Sequence, residues 1–157
     1  MQTTFYKNNR KRLGALLEDN AFCLLYAGTS LPKTADEDYE FQINTNFYYL
    51  SGITQAGSAL LLVKKAGKVE SFLYVDPYDE MYEKWIGHRL TKKEASAQSG
   101  IPATHIRFTD CLEENVAALT KECKWAYFDL EHHDCPVFTS FGEKAAKGCP
   151  KRQVKDA

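Results

Sequence analysis

The sequence lacks an excess of either charge and has no long apolar run. Its 157 residues include 20 Lys and Arg against 21 Asp and Glu, a formal net charge of -1. This balance disfavours nucleic-acid binding, which depends on basic residues that neutralise phosphates. No apolar segment approaches the roughly 20 residues that span a bilayer, and the basic N-terminus is followed by no hydrophobic stretch typical of a secretory signal. We therefore expect no nucleic-acid partner and no membrane association.

The cysteines do not indicate a disulfide framework. There are five, an odd number, and they are irregularly spaced with no Cys-x-x-Cys pair. Disulfide scaffolds are shorter and denser in cysteine, so we expect reduced thiols and a cytoplasmic protein. Hydrophobic residues make up 44% and charged residues 26% of the chain, which is close to the globular average. The length suits one domain with its own core.

The hydrophobic pattern predicts helices alternating with strands. Residues 28–46 are rich in Gly, Pro, Ser, Thr and acids, so we predict a long loop, and loops of this length are often functional. Thr91 and Glu94 have capping-box spacing, with Gly100 placed to end that helix. Strands are predicted at residues 21–27, 47–51, 58–64, 69–75, 105–108 and 124–130, with a last pairing segment within 153–155. Helices are predicted at residues 4–18, 79–86, 91–99 and around Leu112, Val116 and Leu119.

This order of elements predicts an α/β fold. The short turn between residues 64 and 69 predicts an antiparallel hairpin, whereas helices between strands favour parallel neighbours. We therefore predict a mixed, parallel and antiparallel sheet of about six strands flanked by helices. The predicted core consists of apolar residues within these elements: Leu16, Leu24, Leu50, Leu61, Val63, Leu73, Val75 and Phe128.

Motifs for covalent, phosphate or metal chemistry are missing. The chain contains no G-x-S-x-G, no G-x-x-x-x-G-K-[ST] and no G-x-G-x-x-G. Cys23 lies within an apolar strand, which is typical of a buried, unreactive thiol. Residues 132–135 (HHDC) carry potential metal ligands, but adjacent side chains on an extended segment point to opposite sides, and a polar loop is the favoured interpretation. We predict no catalytic residue and no metal ligand in this chain.

Two features have both a binding and a structural interpretation. Asp36 lies in an acidic stretch with Glu37, Asp38 and Glu40, which could bind a cationic group such as an α-amino terminus or could be a solvated loop. Trp85 precedes a glycine and an arginine, a composition found in interface hot spots, but it could equally be a core residue.

Two charged groups have a simpler interpretation. The basic group Lys7, Arg10, Lys11 and Arg12 predicts a solvated helix face. The acids Asp76, Asp79, Glu80 and Glu83 suit the start of a helix.

Three segments together resemble a known family. They are Thr34-Ala35-Asp36 followed by Tyr39 and Phe41, then residues 44–52 (NTNFYYLSG), then residues 85–90 (WIGHRL). In this order and spacing they resemble the N-terminal domain of Xaa-Pro aminopeptidases, the aminopeptidase P branch of the creatinase/prolidase-like metallopeptidases. The resemblance covers nearly the whole chain.

The resemblance implies an accessory role for this domain. Residues 1–157 would form a single N-terminal domain of the creatinase/prolidase type, and the catalytic pita-bread domain, with its two divalent metal ions (usually manganese), would be absent from the chain. The full-length enzyme would release an N-terminal residue that precedes proline, and the isolated fragment would be inactive.

By the same resemblance, the domain would mediate homo-oligomer contacts and help to wall the substrate cleft, with Asp36 and Trp85 as substrate-binding residues. An alternative is an inactive peptide- or histone-binding module of the same fold, as in a histone-chaperone subunit, for which the acidic loop would suit a basic partner.

Overall fold

A computed structural model of the chain describes residues 3–31, 33–34, 37–77, 87–129 and 151–153. The helices are α1 (Thr3–Leu16), α2 (Thr45–Ser51), α3 (Lys92–Ser99) and α4 (Leu112–Glu122), with single 3-10 turns at Ala103–His105 and Thr109–Cys111. The strands are β1 (Ala21–Tyr26), β2 (Ala59–Lys65), β3 (Lys68–Val75), β4 (Ile106–Phe108), β5 (Trp125–Phe128) and β6 (Lys151–Gln153). None of the helices in these residues is long and apolar enough to cross a membrane.

The strands form one mixed sheet in the order β4-β3-β2-β1-β5-β6. Strand β2 is antiparallel to β1 and β3, while β3 with β4, β1 with β5, and β5 with β6 are parallel pairs. Five strands therefore share one direction, and their carboxyl ends meet at one edge of the sheet. The predicted mixed sheet is confirmed, with five strands inside residues 21–128 and a short sixth at residues 151–153.

Helices cover both faces of the sheet. Because side chains alternate along a strand, Cys23 and Leu25 enter one core, and Phe22 and Leu24 enter the other. The first core also contains apolar residues of α1, α2 and α3, and the second contains residues of α4. Seven of the eight predicted core residues are buried.

The exception in the predicted core is Leu16. Its side chain is 63% exposed, whereas Leu17 is 2% exposed. Leu13 and Leu17 are both buried and lie four residues apart, so they share the face of α1 that meets the sheet. Leu16, the last residue of α1, falls outside that face.

The strand predicted at residues 47–51 is wrong, because this segment is helix α2. Asn44 caps its N-terminus by accepting a hydrogen bond from the Phe47 amide at 2.9 Å, and Gly52 ends it in the left-handed conformation. Phe47, Leu50 and Ser51 are buried, at helical rather than alternating spacing. The predicted capping box of Thr91 and Glu94, with Gly100 after the helix, is confirmed.

The basic face of α1 is only partly solvated. Lys7, Lys11 and Arg12 are exposed as predicted, but Arg10 is 5% exposed. Its guanidinium binds main-chain oxygens of α2 and α3. For Arg10, therefore, the prediction of a solvated residue is wrong.

Candidate functional site at the carboxyl edge of the sheet

The carboxyl ends of the parallel strands carry polar residues that tie the surrounding loops together. Asp76 follows β3, Thr109 follows β4 and Asp129 follows β5. The loop predicted at residues 28–46 begins at the same edge, after the end of β1. It returns at Asn44, whose backbone N–H donates a hydrogen bond to the carbonyl oxygen of Ala27 at 2.8 Å. Ligands of α/β sheets commonly bind outside the carboxyl ends of the strands, so this edge is the candidate functional site.

Asp129 accepts hydrogen bonds from two asparagines around the start of α2. The side-chain amides of Asn44 and Asn46 donate to its Oδ2 at 3.1 and 3.0 Å. Since Asn44 also caps α2 through its Oδ1, one residue orients the helix and fastens it to the end of β5. The carboxylate lies near the positive N-terminal end of α2, which favours its charge. The asparagines of the NTNFYYLSG segment thus position the loop that precedes them.

Asp76 has partners from two other segments of the chain. Its Oδ1 accepts a hydrogen bond from Thr109 Oγ1 at 2.8 Å, and its Oδ2 lies 3.7 Å from Arg89 Nη1. The same Arg89 nitrogen donates to the carbonyl oxygen of Pro77 at 3.2 Å. Arg89 and Asp76 are 20% and 29% exposed, so their ion pair is half-buried. It fixes the point where the chain returns after residues 78–86.

Leu90 strengthens this return point. Its amide donates to Gln55 Oε1 at 2.7 Å, and its side chain packs against the core under α1, α2 and α3. Arg89 and Leu90 of the WIGHRL segment therefore hold this part of the chain in place, Arg89 through polar contacts and Leu90 through apolar packing. The carboxylate of Asp76, which the sequence context predicted at the start of a helix, is engaged by Arg89 and Thr109, and the residues of that predicted helix are outside the described part of the chain.

The two predicted substrate-binding residues, Asp36 and Trp85, lie outside the described residues, as do the predicted helix at residues 79–86 and the candidate metal ligands at residues 132–135. The described part of the acidic loop makes local contacts. The Tyr39 amide donates to the Leu31 carbonyl oxygen at 2.8 Å, and Lys33 pairs with Glu37 at 3.1 Å. Asp38 and Glu40 are exposed.

Two thiols and one phenol in the described residues have raised pKa values, which makes them poorly suited to act as nucleophiles or bases. Cys23 is buried, as predicted, and burial, together with the charge of Asp129, raises the pKa of its thiol far above its usual value. Cys111 is exposed, and a hydrogen bond with Asp110 raises its pKa. Burial likewise raises the pKa of the Tyr26 phenol at the end of β1. These groups stay protonated at neutral pH.

The described residues also contain no group of three or more His, Cys, Asp or Glu that could hold a metal ion. The side chains at the carboxyl edge hold the surrounding loops to the sheet through hydrogen bonds and one ion pair. Sequence reasoning did not identify Asn44, Asn46, Asp76 and Asp129 as anchors of these loops. The available signals were an asparagine ahead of an apolar run, typical of a helix N-cap, and an aspartate directly after each of two parallel strands.

Comparison with known proteins gives one consistent family. The family model described as "Aminopeptidase P, N-terminal domain" matches residues 6–127. A Xaa-Pro aminopeptidase of Haemophilus influenzae is 28% identical over 96 residues, which are 61% of this chain and 22% of that protein. Intermediate cleaving peptidase 55 of Schizosaccharomyces pombe is 34% identical over 86 residues, 54% of this chain and 18% of that protein.

Solved structures show the same fold. A Bacillus anthracis protein assigned as an aminopeptidase P superposes with a TM-score of 0.86 at 29% identity, over 98% of this chain and 38% of that one. Aminopeptidase P of Escherichia coli, in its low-pH form, has a TM-score of 0.80 at 19% identity, over 98% of this chain and 36% of that one. The chain thus spans about a fifth of the length of the curated relatives and little more than a third of these structures.

Proposed function

The chain belongs to the aminopeptidase P N-terminal domain family, and we propose that it is the non-catalytic domain of a Xaa-Pro aminopeptidase-like metallopeptidase. In this proposal the full-length enzyme releases an N-terminal residue that precedes proline, in the cytoplasm. The domain contributes contacts to a homo-oligomer and part of the wall of the substrate cleft. Asp36 and Trp85 are its substrate-binding residues, and a peptide is its ligand.

One observation carries the proposal: the segments that contain these two residues both begin and end at anchored positions. The hydrogen bond from Tyr39 to Leu31 closes the first segment, and the contacts of Arg89 with Asp76 and Pro77 close the second. Arg89, Asp76 and Pro77 lie beyond the carboxyl ends of the parallel strands, where α/β domains bind ligands. A rigid sheet that holds both segments at their ends is a suitable platform for a cleft wall.

The donor set of the described residues does not fit the two divalent metal ions of the family. Asp129 is engaged by Asn44 and Asn46, and Asp76 is engaged by Thr109 and Arg89. Neither carboxylate belongs to a group of three or more potential metal ligands among the described residues. In this proposal, metal binding and peptide-bond cleavage belong to residues of the full-length enzyme outside this chain.

The alternative, an inactive module that binds a peptide or a histone, is favoured by one observation. The acidic loop presents Asp38 and Glu40 as exposed carboxylates, and these would suit a basic ligand. This alternative predicts affinity for basic peptides without cleavage, so a single pair of assays separates the two functions.

The test uses the complete coding sequence and the 157-residue chain, each purified and supplied with manganese. A peptide with proline at its second position is incubated with each protein, and release of the first residue is followed by mass spectrometry. We expect cleavage by the full-length protein and none by the isolated chain. If the full-length protein is inactive but binds a basic histone-tail peptide in calorimetry, the alternative replaces the proposal. Cleavage by the isolated chain would contradict both.

A further inference from the structure

Helix α1 contacts the rest of the domain closely at two points and leaves a groove between them. A Cβ atom added to Gly100, after α3, would lie 2.4 Å from Thr3 Cγ2, and one added to Gly14 would lie 2.8 Å from Val69 Cγ1. Glycine at both points therefore allows a close approach that any other residue would prevent. The contact residues Thr3 and Gly14 lie eleven positions apart, about 16 Å along a helix at 1.5 Å per residue.

The groove between these contacts has a volume of about 460 Å³. Sites for small ligands commonly have volumes of about 300–1,000 Å³, so the space is large enough for one. It is separate from the carboxyl edge, because Ser71 of β3 lies five residues before Asp76, which directly follows the strand, or about 17 Å at 3.3 Å per residue. Its walls consist of Lys7, Asn8, Arg10 and Lys11 of α1, residues 69–71 of β3, residues 100–102 after α3, and His105.

Positive charge dominates the α1 wall of the groove. Lys7 and Lys11 are one turn apart on the same side of α1, both exposed, and neither forms an ion pair or hydrogen bond within the described part of the chain. Two like charges at this spacing destabilise a helix by about 0.2–0.5 kcal/mol, and an anion between them would reverse that effect. Arg10 adds a third cation whose two partners are carbonyl oxygens. Glu70 is the single carboxylate of the lining.

The opposite wall supplies a fixed imidazole and apolar surface. His105 Nδ1 donates to the carbonyl oxygen of Ser71 at 3.2 Å, and the ring stacks on Phe72 with centroids 4.7 Å apart. Because a carbonyl oxygen can only accept, this bond places a proton on Nδ1, so Nε2 can donate to an anion only when the ring is the doubly protonated imidazolium. Ile101 and Pro102 line the groove beside the ring.

We propose that this groove binds a small anion with two or more negative charges, either a phosphate ester or a dicarboxylate. Lys7 and Lys11 contact its charged groups, and Pro102, which is exposed, packs against its carbon skeleton. This site is independent of the proposed peptide cleft, since its residues lie at the amino end of β3, away from Asp76.

The test is a titration of the ¹⁵N-labelled 157-residue chain with inorganic pyrophosphate and, separately, with succinate, followed by amide chemical shifts. We expect saturable shifts at Lys7, Lys11 and Ser71. The variant Lys7→Gln/Lys11→Gln should bind at least about tenfold more weakly, a loss of about 1.4 kcal/mol. The control Arg12→Gln/Lys93→Gln also removes two exposed positive charges, but from outside the groove, and should bind within about twofold of the unmodified chain.

The two ligands identify the chemistry of the site. Saturation by pyrophosphate alone supports the proposal and assigns the ligand as a phosphate ester. Saturation by succinate, alone or together with saturation by pyrophosphate, also supports the proposal and includes dicarboxylates among the ligands. Linear shifts that never saturate, or equal weakening by the two double variants, would show diffuse attraction to surface charge and overturn the proposal. Circular dichroism of both variants verifies that they are folded.

Discussion

The guanidinium of Arg10 donates from Nη1 to the carbonyl oxygen of Leu50 at 2.7 Å, near the C-terminus of α2. Its Nη2 donates to the carbonyl oxygen of Ser99 at 2.8 Å, at the C-terminus of α3. The last carbonyls of a helix have no partner within the helix, and the helix dipole makes that end negative. Burial lowers the pKa of Arg10 to about 10, so it remains a cation at neutral pH. One side chain therefore joins three helices.

We expect Arg10→Met to lower the free energy of unfolding by about 2–6 kcal/mol, because two buried carbonyls lose their partner at about 1–3 kcal/mol each. Methionine retains the apolar part of the side chain, so the loss reports on the hydrogen bonds. Arg12→Met, at an exposed position of the same helix, should change stability by no more than about 0.5 kcal/mol. Urea unfolding followed by circular dichroism measures both. Equal effects of the two variants would contradict this role of Arg10.

The two asparagines bound to Asp129 should differ in their contribution to stability. Asn44→Ala removes the N-cap of α2 and one bond to Asp129, while Asn46→Ala removes only the other bond. Loss of an N-cap typically costs about 1 kcal/mol, so Asn44→Ala should be the more destabilising variant by about that amount. Asn8→Ala, at an exposed position of α1, is the control. A larger loss in Asn46→Ala than in Asn44→Ala would mean that the cap is unimportant.

Leu61 and Leu16 provide a direct test of the observed core. Leu61 is 2% exposed on the central strand β2, where it faces Leu24 of β1, so Leu61→Ala should cost about 2–5 kcal/mol. Leu16→Ala should cost less than about 0.5 kcal/mol, since this side chain is already in solvent. Thermal unfolding of the two variants gives the comparison. Similar losses would show that the end of α1 packs differently from its position here.

These residues also show which structural features could be predicted from the sequence and which could not. The strands around Leu61 were predictable because a central strand buries a continuous apolar run. The capping box and the segments that carry the family resemblance could also be recognised, because each is a short stretch of sequence. Leu16 and Leu17 could not be distinguished, because neighbouring leucines differ by only 100° around the helix. The apolar run of α2 was ambiguous between strand and helix, as short runs are. Arg10 needed the three-dimensional fold, since its partners are main-chain oxygens 40 and 89 residues away.

The capping box of α3 should make stability depend on pH through Glu94. Hydrogen bonds from the amide and hydroxyl of Thr91, and then from His88, lower the pKa of this carboxyl from its usual 4.5. Because the folded state favours the ionised form, the stabilisation is present above pH 4.5 and is lost as the pH falls through the lower, folded pKa. The stability difference between the unmodified chain and Glu94→Gln should therefore decrease below pH 4.5. Glu40→Gln, in the acidic loop, is the control, and an equal pH-dependence in both variants would exclude Glu94 as the cause.

The last prediction concerns Trp85 and Asp36 in the full-length enzyme. An indole offers a large apolar surface that can close over the first side chain of a peptide, and a carboxylate can orient its ammonium group. Neither residue would transfer a proton or bind metal in the proposed function. Trp85→Ala and Asp36→Asn should therefore raise KM with little change in kcat, since such binding is made equally in the ground and transition states. A loss of about 1.4 kcal/mol of binding free energy would raise KM roughly tenfold.

Steady-state cleavage of a Xaa-Pro peptide measures these two constants. Tyr49→Ala is a control for the loss of an aromatic side chain, because Tyr49 is exposed on α2 and stacks edge-on against Phe5; its KM should stay within about twofold of the unmodified enzyme. Unchanged kinetics in Trp85→Ala would contradict a role in substrate binding, whereas loss of folding would assign the side chain to the core. If the cleft is shared between subunits, mixing Trp85→Ala with a subunit inactivated in its metal site should restore some low-KM activity. Such recovery requires that the intact Trp85 of one subunit serves the catalytic domain of another, which links the proposed oligomer contacts to the proposed cleft in one measurement.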